Sequence, residues 1–314
     1  MNSTVIILLA TYNRAHLIEE TLSSIQNQTY AYFECFITDD RSTDNTKDVV
    51  QAFCQKDSRF KYFLKPETYP PGLSATRNFG LDLAEKSNVE FIQFFDDDDI
   101  MHPQKLKNQI EVFFKDASID VVNCKYQGFS GSFELKNHTF HGQMNIASEN
   151  PEKDFLLGNI TINSCGPIFK VKLLKDIRFD LELKYTAEER EFYLRLFFLK
   201  RPNYKVINED LFFYRHHQIS ITANTRNQLE KKGTFIRLDE KLWDFLIDNN
   251  LIPISVLSYF IKRFLLDNYN REYLAKIKVY IRNESTLHYL SKKKLLAIMN
   301  LHKFYRKLIY KILQ

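Results

Sequence analysis

Four consecutive aspartates, Asp96–Asp99, directly follow the short apolar run Phe91–Phe95. Adjacent carboxylates repel one another unless a cation lies among them. Mg²⁺ and Mn²⁺ prefer such oxygen ligands and commonly share their coordination with substrate phosphates. The tetrad therefore indicates a metal and phosphate site, with a solvated acidic surface turn as the alternative.

Two further polar clusters follow apolar runs in the same way. Ala10–Arg14 follows the run at residues 4–9, and the pair Asp39-Asp40 follows Phe33–Ile37. Short apolar runs of this kind predict buried strands. Because ligands of open α/β sheets bind outside the carboxyl ends of the strands, we expect all three clusters to lie in one crevice.

The elements that must position these clusters alternate along the first part of the chain. Strands are predicted at 4–9, 33–37, 60–64, 91–95 and 121–125, with helices at 16–26, 45–55, 74–85 and 103–114. Repeated βα units predict a mainly parallel sheet flanked by helices. Neither a G-x-G-x-x-G nor a G-x-x-x-x-G-K-[ST] loop is present, so a bound phosphate would be neutralised by metal.

The remainder of the chain changes character along its length. Residues 126–225 are less regular, with a turn predicted at Gln127–Ser132, strands at Val206–Ile207 and Leu211–Tyr214, and an amphipathic helix at Thr186–Leu199 that carries Leu199 on its apolar side. From about residue 227 the pattern is mostly helical. We expect an α/β body followed by a helical C-terminal region, with a boundary near 225–250.

Composition places the 314-residue chain among soluble globular proteins, since 44% of its residues are hydrophobic and 26% are charged. It has no stretch of about 18 uncharged apolar residues, and its first apolar run is too short for a signal peptide. We therefore expect a cytoplasmic protein. The four cysteines form no C-x-x-C pair, which favours free thiols over disulfides or zinc ligands.

The charge is distributed unevenly. Residues 255–314 contain 13 basic and three acidic residues and so carry +10, whereas the whole chain carries +5. The segment 292–314 has seven basic residues, no acidic residue and apolar residues at helical spacing. This pattern predicts peripheral contact with an anionic membrane, on its cytoplasmic face. A solvated helix packed on the body is the alternative, and we expect no nucleic-acid partner.

Four segments taken in order resemble the family 2 glycosyltransferases of GT-A fold. They are Ala10–Arg14, Thr38–Thr46, Ala75–Gly80 and Phe95–Pro103, and the resemblance extends over roughly residues 3–220. It implies a GT-A-like, mainly parallel sheet flanked by helices in a nucleotide-sugar-binding catalytic domain at 1–225. The basic helical region would then be 226–314.

The resemblance assigns the first two clusters to the nucleotide. Thr11 and Tyr12 would lie at the base, with the Tyr12 ring offering a face for stacking. Asp40 would accept a hydrogen bond from N3–H of a uracil ring, with Asp39 close by. Arg14 would reach either the nucleotide or only a surface carboxylate.

The resemblance also gives roles to the tetrad. Asp98 is the first choice for direct metal coordination and Asp96 the second, while Asp96 or Asp97 would hold the ribose or a metal-bound water. A register shift by one residue stays open within four identical residues. Arg77 resembles the basic residue that this family directs toward the nucleotide.

Three further positions follow from the resemblance. Glu189 matches the family's catalytic base, which takes the proton from the acceptor hydroxyl, and Glu188 is the alternative. Both glutamates would also favour a helix N-terminus for electrostatic reasons alone. His217 would bind the metal or contact the diphosphate, and Arg215 would help to neutralise the diphosphate.

These assignments predict a glycosyltransferase that depends on Mn²⁺ or Mg²⁺ and inverts the anomeric centre. The donor would be a nucleotide-diphosphate sugar, most simply a UDP-sugar, and the acceptor a glycan or lipid-linked precursor in surface polysaccharide synthesis. The alternative is a non-catalytic nucleotide-sugar-binding or scaffolding subunit of a glycan assembly complex. A nucleotidyltransferase is disfavoured because the chain lacks a glycine-rich, lysine-containing loop.

Overall fold

The first half of the chain alternates strands and helices, as its hydrophobic pattern predicts. The structure, a computed structural model, describes residues 4–87, 89–135, 144–216, 228–267 and 270–312, and it describes the backbone alone for 228–229, 266–267 and 301–312. The strands are β1 (Val5–Thr11), β2 (Phe33–Asp39), β3 (Phe60–Leu64), β4 (Phe91–Asp96), β5 (Ile100–Met101), β6 (Val121–Phe129), β7 (Ile168–Lys170) and β8 (Tyr204–Arg215). The helices among them are α1 (Ile18–Gln26), α2 (Thr46–Lys56), α3 (Leu73–Glu85), α4 (Lys105–Lys115), α5 (Pro151–Leu157) and α6 (Ala187–Lys200).

In the described residues these strands form one eight-stranded sheet in the order β3-β2-β1-β4-β7-β6-β8-β5. The pairs β1–β2, β1–β4, β2–β3 and β6–β8 are parallel. The short strands β7 and β5 run antiparallel to their neighbours. The predicted α/β class with a mainly parallel sheet is therefore confirmed.

The central strands are buried on both faces of the sheet. All seven residues of β1 are buried, and Ile7 belongs to a core shared with α1, α2 and α4. Phe94 of β4 lies on the opposite face, where it packs edge-on against Phe192 of α6. Uninterrupted apolar strands satisfy this double burial, which explains why β1, β2 and β4 read so clearly in the sequence.

The second half of the sheet departs from the sequence predictions. The turn predicted at Gln127–Ser132 begins too early, because β6 continues to Phe129 and pairs with β8, and the chain bends only at Gly131 and Ser132. The two strands predicted at Val206–Ile207 and Leu211–Tyr214 are parts of the single strand β8. Leu199, which was predicted on the apolar side of its helix, is 40% exposed in the last turn of α6. Pairing with a distant strand, together with a register irregularity after Cys124, overrides the local turn signals.

The chain divides into two compact units, Met1–Asn227 and Gln228–Gln314. The second unit is helical, with α7 (Gln228–Asp248), α8 (Leu257–Lys262), α9 (Arg271–Asn283) and α10 (Tyr289–Ile312). Its core includes Trp243, whose ring packs edge-on against Phe260 and Tyr280. Within the described part of the chain, none of the helices combines the length and the apolar character needed to span a membrane.

Candidate active site

The ends of β1, β2 and β4 lie side by side at one edge of the sheet. Ala10 of β1 pairs with Asp96 of β4, and Thr11 pairs with Asp39 of β2. Because these strands are parallel, the polar residues that follow them share the same edge. The structure thus brings together the three clusters that the sequence places after separate strands.

The loop after β1 presents an aromatic ring at this edge. Tyr12 is 54% exposed, and the following residue, Asn13, has a left-handed backbone with φ 54°. Asn13 Oδ1 accepts a hydrogen bond from the N–H of Thr43 at 2.7 Å, and the N–H of Arg14 donates to Thr46 Oγ1 at 2.8 Å. These bonds tie the loop to the start of α2, so the Tyr12 ring stands on a defined backbone.

Asp39 at the end of β2 is buried among neutral donors. Its Oδ1 accepts hydrogen bonds from the N–H and the hydroxyl of Ser42 at 2.8 and 2.6 Å. Its Oδ2 accepts a hydrogen bond from the Tyr62 hydroxyl at 2.7 Å. Burial and this contact with Asp39 raise the pKa of Tyr62, so the phenol remains a donor.

Asp40 is held by a buried lysine and a backbone N–H. Lys65 Nζ lies 2.5 Å from Asp40 Oδ1, and the N–H of Gly72 donates to Asp40 Oδ2 at 2.6 Å. Lys65 also donates to the carbonyl of Pro70 and to Thr76 Oγ1, while its own burial lowers its pKa. Gly72 has φ +120°, which side chains rarely adopt, so glycine is required at the start of α3.

Asp97 and Asp98 face the guanidinium group of Arg14. Arg14 Nε lies 3.2 Å from Asp97 Oδ1, and Nη2 lies 3.7 Å from Asp98 Oδ2. Burial, followed by the charge of Asp98, raises the pKa of Asp97 to about 7 despite Arg14. Arg14 thus contacts carboxylates of the tetrad, and its contact with the nucleotide stays a prediction.

Asp99 is fully buried beneath the other three aspartates. Its Oδ1 accepts a hydrogen bond from the N–H of Arg215 at 2.9 Å, and its Oδ2 lies 3.5 Å from Cys165 Sγ. Burial and then the adjacent carboxylates of the tetrad raise the pKa of Asp99. The Arg215 guanidinium, also buried, donates to the carbonyl of Asp98 at 2.8 Å and pairs with Glu20 at 2.5 Å.

Arg77 joins the tetrad to the first turn of α6. Its Nη2 lies 2.7 Å from Asp96 Oδ1 and its Nη1 lies 2.8 Å from Glu189 Oε1. Arg77 is 3% exposed, and its guanidinium lies 5.4 Å from the centre of the Phe179 ring. Burial opposes the charge of Arg77, but Glu189 and Asp96 outweigh burial and raise its pKa.

The two glutamates at the start of α6 occupy different environments. Tyr185 and Thr186 both have left-handed backbones (φ 58° and 72°) and turn the chain into the helix. Glu189 is partly exposed and bonded to Arg77, whereas Glu188 is buried and its Oε2 lacks a hydrogen-bond partner among the described residues. Burial, followed by the charge of Glu189, raises the pKa of Glu188 to about 7.

Two observations suit a divalent cation at this edge. Asp96, Asp99 and Cys165 each place one ligand atom within 4.8 Å of the others. Carboxylates suit Mg²⁺ or Mn²⁺, whereas burial raises the pKa of the Cys165 thiol and keeps this soft donor protonated. Arg14 and Arg77 supply two positive charges against six carboxyl groups, those of Asp96–Asp99, Glu188 and Glu189. A bound cation would favour the ionised form of the carboxyl groups whose pKa is raised, those of Asp97, Asp99 and Glu188.

The predicted metal ligands do not all belong to this group. Asp96 belongs to the group just described, whereas Asp98 lies outside it and pairs with Arg14. His217 falls within residues 217–227, outside the described residues. The ligand assignment therefore stays a prediction, and Asp99 becomes a further candidate.

Sequence reasoning assigned no contact in the site to Cys165, Lys65 or Glu20. Cys165 approaches Asp99 across 66 residues, and Glu20 approaches Arg215 across 195 residues, so no local pattern marks either contact. Lys65 directly follows β3, whose last residue pairs with Asp39. The rule that directed attention to the residues after β1, β2 and β4 therefore also marks Lys65.

Comparison with known proteins identifies the family. The model of glycosyl transferase family 2 matches residues 6–178, more than half of the chain. The GalNAc(5)-diNAcBac-PP-undecaprenol beta-1,3-glucosyltransferase of Campylobacter jejuni is 34% identical over 179 residues, which are 56% of this chain and 54% of that protein. The UDP-Glc:alpha-D-GlcNAc-diphosphoundecaprenol beta-1,3-glucosyltransferase WfgD of Escherichia coli is 29% identical over 262 residues, 83% of this chain and 92% of that protein. The match thus spans about half the length of the Campylobacter relative.

Solved structures show the same fold. The structure of S. aureus TarS 1-349 in complex with UDP-GlcNAc has a TM-score of 0.64 and 19% identity, over 96% of this chain and 82% of that chain. The mannosyltransferase PcManGT from Pyrobaculum calidifontis, in complex with GDP-Man and Mn²⁺, has a TM-score of 0.54 and 17% identity, over 98% and 82%. These likenesses show a GT-A fold. The family match establishes that the chain belongs to glycosyl transferase family 2 and is a glycosyltransferase.

Proposed function

We propose that the chain transfers a sugar from a UDP-sugar to a lipid-linked glycan precursor, with inversion at the anomeric carbon and dependence on Mn²⁺ or Mg²⁺. The observation that carries this proposal is the bridge through Arg77, which holds Glu189 beside Asp96 at the edge where β1, β2 and β4 end. A carboxylate base and an acidic cation site in one crevice are what such a transfer requires. The undecaprenol-linked glycans in the names of the Campylobacter and Escherichia relatives support the choice of acceptor.

The nucleotide would occupy the ends of β1 and β2. The exposed Tyr12 ring offers a stacking face for the base, and the buried Thr11 begins the loop that carries it. Asp40 retains a partly exposed side chain and would accept the N3–H of uracil, with Asp39 bracing the loop behind it. Arg14 would exchange its contacts with the tetrad for contacts with the nucleotide once a cation neutralises the aspartates.

Mn²⁺ or Mg²⁺ would be held by carboxylates of the tetrad, with Asp96 and either Asp98 or Asp99 as ligands. When bound, the cation stabilises negative charge on the diphosphate. Asp97 would hold the ribose or a water, and Arg215 would support the tetrad from beneath through its bonds to Asp98 and Asp99. His217 is proposed as a further ligand of the metal or the diphosphate.

Glu189 would act as the general base, with Glu188 behind it. The acceptor hydroxyl gives its proton to Glu189 while its oxygen forms a bond to the anomeric carbon. The bond from that carbon to the diphosphate oxygen breaks on the opposite side, and the electron pair leaves with the nucleoside diphosphate. A single displacement of this kind inverts the anomeric centre.

The two parts of the chain would divide the work. Residues 1–225 would form the catalytic domain that binds the nucleotide sugar, and the basic helical region 226–314 would contact the cytoplasmic face of an anionic membrane through 292–314. The helix α10 covers most of that segment and includes Lys292, Lys293 and Lys294 near its start. Peripheral contact of this kind would bring the active site to a lipid-linked acceptor.

A donor screen tests the function. The purified chain is incubated with a panel of UDP-, GDP- and TDP-sugars, a membrane extract as acceptor and Mn²⁺, Mg²⁺ or EDTA, and products are identified by mass spectrometry. We expect one UDP-sugar to be transferred with metal and none with EDTA. Asp96→Asn should abolish transfer, whereas the exposed control Asp116→Asn should leave it unchanged. Transfer in EDTA, or full activity of Asp96→Asn, would contradict the proposal.

A further inference from the structure

Arg77 occupies a junction of three elements. It extends from α3, and its two terminal nitrogens contact one carboxylate at the end of β4 and one in the first turn of α6. Arg77 and Glu189 are 112 residues apart in the sequence, and Arg77 and Asp96 are 19 residues apart. Among the described residues this guanidinium directly links the proposed cation site to the proposed base.

The Arg77 side chain is buried among protein groups, and little of it is accessible to a ligand. It is 3% exposed and its guanidinium lies over the Phe179 ring. Both hydrogen bonds are charge-assisted, which makes them shorter and stronger than neutral ones. The planar guanidinium directs its donors along fixed directions, a geometry that a lysine ammonium cannot reproduce.

We infer that Arg77 is a positioning residue for the base: it sets the place of Glu189 relative to the end of β4. This inference rests on the proposed role of Glu189 and differs from the expectation that Arg77 contacts the nucleotide. The left-handed pair Tyr185 and Thr186 turns the chain into α6, and Arg77 then holds the helix start against the strand end. The arrangement aligns the base with the cation-binding carboxylate before any substrate arrives.

A role in positioning the base and a role in contacting the nucleotide predict effects on different kinetic quantities. A positioning residue affects the chemical step, because a displaced base transfers the proton poorly. A nucleotide contact affects donor binding, which appears in the KM and in the affinity for UDP. The variant Arg77→Lys separates them, since it keeps a positive charge but cannot bridge two carboxylates in the same geometry.

The experiment measures kcat and donor KM for transfer, and the Kd of UDP by calorimetry in the presence of Mn²⁺. For Arg77→Lys we expect kcat to fall about 100-fold and the Kd of UDP to stay within about threefold. The matched control is Arg59→Lys, because Arg59 also pairs with an acid, Asp57, and lies over a ring, that of Phe33, near the opposite ends of the strands. Arg59→Lys should leave both quantities unchanged.

Folding and the base assignment are checked separately. If Arg77→Lys loses its cooperative thermal transition, Arg77→Gln, which keeps an N–H donor, is measured in the same way. In a double variant with Glu189→Gln, the Arg77→Lys substitution should cause no further loss of kcat, because the base it positions is already gone. Non-additivity of this kind is not expected from general loosening of the fold.

The outcomes distinguish the inference from the proposed function. If Glu189→Gln keeps the activity of the unmodified chain, the proposed base is wrong and the inference falls with it. If Glu189→Gln is inactive while Arg77→Lys weakens UDP binding at unchanged kcat, the proposed function stands, the inference is overturned and Arg77 is a nucleotide contact.

Discussion

The acidic end of β2 and the acidic end of β4 flank the same strand, β1, yet they accommodate buried negative charge in different ways. At β2 the carboxylates have local partners: Asp39 is bonded to two hydroxyls and an N–H, and Asp40 to Lys65 and Gly72. At β4 the tetrad and the two glutamates of α6 share Arg14 and Arg77. Buried charges require compensation. The β2 end has charged and polar partners within the protein, whereas the β4 end is where the proposed cation would add stability.

The difference between the two strand ends matches the proposed division between nucleotide recognition at the end of β2 and the chemical step at the end of β4. A site whose partners are all supplied by the protein is pre-organised and suits recognition of a constant group such as a base. A site with uncompensated negative charge attracts a cation. A cation there can stabilise the negative charge that develops on the leaving group during the reaction. The predictions below test this contrast, starting from the largest expected effect.

The largest effect should come from the proposed base, Glu189, at the β4 side. Glu189→Gln keeps the shape and a hydrogen bond to Arg77 but cannot accept a proton. We expect kcat to fall by at least about 100-fold at unchanged donor affinity, measured by product formation and UDP calorimetry. Asp39→Asn at the β2 end should alter nucleotide affinity with a smaller change in kcat, and the reverse result would invert the contrast.

The buried lysine at the β2 end should matter for stability. Lys65→Met leaves the Asp40 carboxylate with a longer ion pair to Arg41, whose Nη2 lies 3.6 Å from Asp40 Oδ1. Loss of one member of a buried ion pair costs about 3 kcal/mol. Urea unfolding of the unmodified chain and the variant measures this loss. Lys61→Met is the control, because Lys61 pairs with Glu34 at a more exposed site. If Mn²⁺ restores the stability of Lys65→Met, the β2 end is not self-sufficient.

The buried glutamate beside the base should make stability depend on pH. Burial raises the pKa of Glu188 from 4.5 to about 7 in the folded protein. Between these values the folded protein holds a proton that the unfolded chain has lost, so the free energy of unfolding falls as pH rises. Glu188→Gln should remove this fall and be more stable than the unmodified chain at pH 8, by up to roughly 3 kcal/mol.

Urea titrations at pH 5 and pH 8 measure the effect. The two proteins should be closest in stability at pH 5, where Glu188 is still largely protonated in the folded state. Glu19→Gln, at an exposed position of α1, serves as the control and should keep the pH dependence of the unmodified chain. An unchanged pH dependence in Glu188→Gln would show that Glu188 is not protonated near neutral pH.

A divalent cation should stabilise the β4 end. At about 100 times its Kd, Mn²⁺ would add about 2.7 kcal/mol to the free energy of unfolding, observed as a rise in Tm. Asp96→Asn and Asp99→Asn should lose this increment, whereas Asp40→Asn should keep it. A rise that persists in both tetrad variants would place the cation elsewhere, and a loss confined to Asp98→Asn would restore the ligand favoured from the sequence.

The smallest effect concerns the membrane. Each basic residue near an anionic bilayer contributes about 1 kcal/mol of attraction, so Lys293→Gln should weaken binding to phosphatidylglycerol vesicles about fivefold in a sedimentation assay. The exposed Lys172 of the first unit provides the control, as Lys172→Gln. Binding that is equal for anionic and neutral phosphatidylcholine vesicles would contradict the electrostatic contact.

Much of the first unit was predictable from local pattern. The runs that became β1, β2 and β4 are apolar because both faces of these parallel strands are covered, and the intervening helices carry their apolar residues at helical spacing. The strand-end rule then located Asp39, Asp40 and the tetrad. The strand β5 was missed because two residues, Ile100 and Met101, carry no periodic signal and are strands only through pairing with β8.

The sequence alone determined which residue types stand at the strand ends, and hence a cation as an expected ligand, while its resemblance to the family 2 glycosyltransferases implied a nucleotide sugar. Only the tertiary structure decided which of the aspartates are buried, which face Arg14, and that Arg77 joins Asp96 to Glu189. The reason is physical: four identical side chains in a row carry the same local information. Their burial and charge partners come from residues tens to hundreds of positions away, brought near by the packing of α3, α6 and β8 against the end of β4.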